Sequence, residues 1–61
     1  MTVKELRHSV NMTQSEFANY FHMPVRTLQK WECGQAQPTS YVLDMMQRIL
    51  YFDAKLQAIS E

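Results

Sequence analysis

The stretch from Thr13 to Gly34 constrains this chain most, because the start and stop signals of two short helices are crowded into it. Thr13-Gln14-Ser15-Glu16 has capping-box spacing, a hydroxyl and a carboxylate three residues apart just before an apolar pattern. Phe17, Ala18 and Phe21 then fall on one face at helical spacing, and Met12 is placed to staple against Phe17. His22-Met23-Pro24 reads as a turn, since proline disfavours helical geometry in the residue before it and suits the start of a new helix. The next helix carries Val25 to Glu32, with Leu28 and Trp31 as its inward pair. Gly34 is suited to the left-handed position just past a helix end.

The flanks are helical too. Thr2 and Glu5 form another capping box, followed by Val3, Leu6 and Val10 on one face, and Asn11-Met12 is a short connection. Gln35 to Pro38 is a polar loop. From Thr39 to Glu61 there is neither glycine nor proline. There Val42, Met45, Ile49, Phe52, Leu56 and Ile59 step alternately by three and four, a heptad-like stripe. Leu43, Met46 and Leu50 make a second, shorter stripe. A helix with two apolar stripes has two things to cover. One stripe is expected to face the core and the other a second copy of the chain; the spacing does not say which. A kink or a separate short helix starting at Asp53 also stays open. The expected fold is all-α, a compact bundle of four to five helices forming one domain over residues 1–61. Residues 40–59 would close the core and dimerise.

With 61 residues there is room for one domain of marginal stability, which oligomerisation would help. A lone cysteine, Cys33, excludes an intrachain disulfide and suits a reducing cytoplasm, the expected location. No apolar run approaches the ~20 residues that span a bilayer, the N-terminus lacks a signal-peptide layout, and the charges of the last helix make no basic face for a membrane. His8, His22 and Cys33 lack paired zinc-site spacing, so no metal or cofactor is expected. Nor is there a catalytic grouping or a glycine-rich phosphate loop, and the chain is expected not to be an enzyme. Formal net charge is zero, so attraction to an anionic partner has to come from where the charges sit rather than from their total.

Two short helices joined by a tight turn, then a loop and a longer helix, make the layout of a helix-turn-helix module. Residues Gln14 to Gly34 resemble the helix-turn-helix of phage repressor, Cro and Xre-type regulators. Val25-Arg26-Thr27-Leu28-Gln29-Lys30-Trp31-Glu32, with Gly34 and Pro38 beyond it, is particularly similar to antitoxin-type members. The resemblance covers residues 2–52 and implies a lambda-repressor-like fold. Ala18 stands where the family needs a small residue at the helix crossing. Phe17, Phe21, Met23, Leu28 and Trp31 occupy its apolar positions. The chain departs from the pattern in three places: His22 replaces the usual turn glycine, where positive φ is expected; Pro24 replaces a serine or threonine cap; and Gln35-Ala36-Gln37 replaces a basic loop.

The resemblance implies that the third helix enters the major groove of double-stranded DNA. Val25, Arg26, Gln29 and Lys30, all turned away from Leu28 and Trp31, would then touch bases. Arg26 suits guanine, Gln29 adenine and Val25 a thymine methyl. Gln14, and more weakly Thr27, would bind phosphate. Arg7 and Glu32 match positions that pair as a structural ion bridge. The implied function is a sequence-specific transcriptional regulator, a repressor, acting as a homodimer on an inverted repeat. The alternative is a protein-binding adaptor or antitoxin using the same fold, with a toxin or other protein as partner.

Overall fold

The computed structural model describes residues 2–59, with side chains described through Leu56. Four helices follow one another: α1 (Val3–Ser9), α2 (Gln14–Tyr20), α3 (Val25–Glu32) and α4 (Ser40–Ile59). No strand occurs among the described residues.

Local chemistry sets the helix starts. Thr2 and Thr13 each accept a hydrogen bond from the backbone N–H three residues on. Glu5 and Glu16 return the bond to the cap N–H, so both capping boxes are complete. Pro24 stands where the sequence puts it, in place of a hydroxyl cap. It is the N-cap itself, extended at ψ 137°, with no side-chain cap bond, and the helix proper begins at Val25. Its ring presets φ at −63°, but having no side-chain acceptor it leaves the first turn of α3 uncapped.

The helix ends share one device. After α1, Asn11 takes φ +57°, its N–H donates to His8 O, and Met12 N–H donates to Arg7 O. After α2, His22 takes φ +56°, its N–H donates to Asn19 O, and Met23 N–H donates to Ala18 O. After α3, Gly34 takes φ +85° and Gln35 N–H donates to Lys30 O. These are Schellman-type ends, in which one left-handed residue reverses the chain and satisfies carbonyls the helix leaves open. The expectation of positive φ at His22 and Gly34 is met. Asn11, read as plain connection, plays the same part.

The core is Val3, Leu6, Phe17, Ala18, Leu28, Met46 and Leu50. Phe17 and Leu28 are wholly shielded, each contributing about 2–3 kcal/mol by burial. Trp31 corrects the expected inward pair: it packs against the core but stays half-buried, as do Phe21 and Met23. An indole is too large to vanish between helices this short.

The last helix decides between the two stripes. The shorter one faces inward, with Met46 and Leu50 buried and Leu43 half-buried against the core. In the longer stripe Met45 is 42% exposed, Ile49 41%, Phe52 60% and Leu56 63%. Val42 leaves that stripe in part, since it is half-buried against the core of its own chain. The side chain of Ile59 lies outside the described residues. α4 runs through Asp53 as one helix, so no separate helix starts there.

Candidate nucleic-acid interface

At 100° per residue, Val25, Gln29, Arg26 and Lys30 follow one another around α3 in an arc of about 140°. All four are exposed. Leu28, Trp31, Thr27 and Glu32 take the rest of the circumference, and each of them is buried or half-buried. The helix therefore has one exposed face and one packed face, with the two sets of residues not interleaved. Thr27 lies off the arc, on the flank shared with Trp31.

Behind this helix sits a polar clamp. Arg7 of α1 donates from Nε to Glu32 Oε2 at 2.7 Å and from Nη2 to Glu32 Oε1 at 3.0 Å. Its Nη1 donates to the Met12 carbonyl at 2.9 Å, tying the same guanidinium to the α1–α2 connection. Gln14, the first residue of α2, donates from Nε2 to Glu32 Oε1 at 3.1 Å. One carboxylate thus holds three helices together, and Gln14 has a structural bond that its reading as a phosphate ligand did not include. An amide nitrogen carries two hydrogens, so one donor of Gln14 remains for another acceptor.

Glu32 titrates below its ordinary carboxylate value, chiefly because of the Arg7 hydrogen bonds. Burial opposes the shift, while the Gln14 bond and the charges of Arg7 and Lys4 add to it. Arg7 is correspondingly raised, first by its bonds to Glu32. The only acid on α3 is therefore neutralised from behind, and the charges its outer face presents are Arg26 and Lys30. Lys4 was not picked out from the sequence. Its one available signal is spacing, since Lys4 and Arg7 are three apart on α1 and so share a face.

At the start of α2 the capping box read from the sequence engages the cap groups. The Glu16 N–H is taken by Thr13 Oγ1, and the Glu16 carboxylate lies back against the cap at 2.8 Å from Thr13 N. Among the described residues, no three His, Cys, Asp or Glu side chains are grouped to hold a metal. No described helix is long and apolar enough to cross a membrane.

A short helix locked by a tight turn against a second, whose outer face is polar and cationic, defines the helix-turn-helix class of module. The helix-turn-helix family model of the Xre and lambda-repressor type matches residues 3–50, and the chain belongs to that family of DNA-binding regulators. No curated protein and no solved structure matches the chain.

Proposed function

We propose that this protein is a sequence-specific transcriptional repressor that places α3 in the major groove and binds an inverted repeat as a homodimer. The observation that carries the reading is the unbroken exposed arc of Val25, Arg26, Gln29 and Lys30, mounted on a helix clamped by Arg7, Gln14 and Glu32. Arg26 has the fork geometry for guanine O6 and N7, Gln29 the paired donor and acceptor for adenine, and Val25 an apolar surface for a thymine methyl. Lys30 serves guanine or phosphate. Gln14 offers its remaining donor to phosphate, and Thr27 lends weaker support from the flank.

Dimerisation is supported by the outward stripe Met45, Ile49, Phe52 and Leu56. A neutral chain with no cation in its Gln35-Ala36-Gln37 loop binds one half-site weakly, and pairing two copies multiplies affinity without new DNA contacts.

Selection of bound sequences from random DNA, followed by titration of variants, tests the reading. Arg26→Ala is expected to cost about 1–3 kcal/mol at one base position and relax the preference there. Gln14→Ala should weaken all sequences alike. Recovery of no sequence above background at moderate salt would refute the proposal.

The same exposed stripe supports a second reading, an antitoxin or adaptor whose α4 covers a toxin or other protein. A clean homodimer that repeatedly purifies without a partner counts against it.

A further inference from the structure

Resting on the homodimer reading above, we infer that the second copy packs along α4 in parallel and in register, with Arg48 of each copy bonded to Asp53 of the other. The outward stripe sets the heptad frame. Val42, Ile49 and Leu56 occupy a positions, and Met45 and Phe52 occupy d positions. Flanking them, Arg48 and Lys55 take g, while Met46 and Asp53 take e. The charges at e and g set orientation. In a parallel pair each g residue meets the partner's e residue five positions on, so Arg48 meets Asp53, twice by symmetry. In an antiparallel pair the stripe residues would match Met45 with Leu56 and Ile49 with Phe52. The g flanks would then oppose each other, bringing Arg48 against Lys55, a like-charge contact repeated twice. The β-branched residues Val42 and Ile49 at a positions also suit two parallel strands.

The structure leaves room for the bridge. Asp53 is half-buried on the rim of a groove of about 180 Å³ that Val10, Met12, Tyr20, Leu50 and Ala54 complete. It therefore lies where α4 meets the domain body, beside the outward stripe. Arg48 is exposed, and its own partner within the chain, Asp44 at 3.0 Å, is exposed too. Such a surface pair is worth little, so giving it up costs little. Direction has a geometric consequence. The core touches α4 through Leu43, Met46 and Leu50, and in part through Val42, all between the helix start at Ser40 and Leu50. Parallel pairing puts both helix-turn-helix units at the same end of the dimer, whereas antiparallel pairing puts them at opposite ends.

The test combines cross-linking with charge exchange in the full chain, with Cys33→Ser removing the native thiol. Met45→Cys is expected to form a symmetric disulfide dimer in a glutathione buffer, because d positions face their own copies in a parallel pair. Sedimentation equilibrium should show Arg48→Glu and Asp53→Arg each weakening the dimer roughly ten-fold, as like charges replace two bridges, with the double variant restoring it. Two outcomes overturn the inference but leave the homodimer standing. One is a dimer in which Met45→Cys cross-links only to a second variant, Leu56→Cys; another is a dimer indifferent to the charge changes. A chain that stays monomeric, alone and on DNA, overturns the homodimer as well and assigns the stripe to a different protein.

Discussion

Arg7 meets Glu32 fork to fork, with bonds of 2.7 and 3.0 Å between side chains that are 13% and 6% exposed. The pair joins the first helix to the end of the third. Because Gln14 donates to the same carboxylate, the bridge also fixes how the two helices of the module cross. Glu32→Ala would leave the Arg7 guanidinium shielded without its counter-ion. Breaking such a pair from one side costs about 3 kcal/mol, the low end for buried pairs since this one keeps some contact with water. The expected result in urea denaturation is a lower midpoint with an unchanged slope. Arg7→Lys should also destabilise, because an ammonium cannot make both carboxylate bonds and still reach the Met12 carbonyl. A variant as stable as the parent would show that the bridge contributes nothing net.

The same carboxylate predicts an acid limb. The folded acid constant of Glu32 lies below its ordinary value of 4.5, mainly through the Arg7 bonds. A depressed constant means that the stabilisation is fully present above the unfolded value. It is lost as pH falls below about 4.5 and through the folded value, because the unfolded chain then binds the extra proton. Arg7 shifts the other way, upward from an already high value, so its part is constant across the acid and neutral range. Thermal melts from pH 7 to pH 3 should show the parent losing stability below about 4.5. Glu32→Gln should start lower and decline less steeply. Some slope will remain, since Glu5 is also depressed by its bonds to Thr2. Parallel curves for the two proteins would remove Glu32 from the account.

What could be read from the sequence divides by range. Both capping boxes and the bounds of α3 are local codes, written within three or four residues, and they appear where the spacing puts them. Periodicity also found the two stripes of α4. It could not rank them, because each repeats by threes and fours, and the choice depends on which stripe meets Phe17 and Leu28 across the core. Depth was equally out of reach for Trp31, whose spacing marks a direction but not how far a large ring can sink. The bond from Gln14 to Glu32 joins residues 18 apart in the chain, and no local pattern encodes it. Asn11 escaped for a different reason: asparagine is common in loops, and only the two hydrogen bonds around it distinguish a helix end from a connection.

Tyr20 carries a correctable cost. Its hydroxyl oxygen is shielded and has no hydrogen-bond partner among the described residues, while its ring stacks edge-on against Phe21 with centroids 4.8 Å apart. A buried hydroxyl without a partner loses its hydration and gains nothing in return. Tyr20→Phe keeps the ring contact and removes the orphan, and it is expected to stabilise by about 1 kcal/mol. For a domain this small that raises Tm by roughly 4–8 °C in a calorimetric scan. A lowered Tm would mean that the hydroxyl is bonded in solution.

Two of the helix ends make a matched pair of backbone experiments. His22 holds φ +56° and Gly34 holds φ +85°, so both occupy the left-handed region that a Cβ disfavours by about 1–2 kcal/mol. His22 is exposed, so His22→Gly sacrifices no packing and relieves that strain, partly offset by the greater freedom of glycine in the unfolded chain. A gain of about 0.5–1 kcal/mol is expected. Gly34→Ala runs the other way. A Cβ built there meets nothing within 4 Å, so no steric clash confuses the result, and the whole loss of about 1 kcal/mol comes from the backbone. Gly34 follows directly from the end of α3, and its turn carries the Gln35 bond to Lys30 O. If the Gly34→Ala loss is confined to the turn, Gln35 amide exchange should accelerate while that of Leu28 changes only with global stability. If His22→Gly destabilises the protein, or Gly34→Ala leaves it unchanged, the left-handed ends are not strained in the way their angles imply.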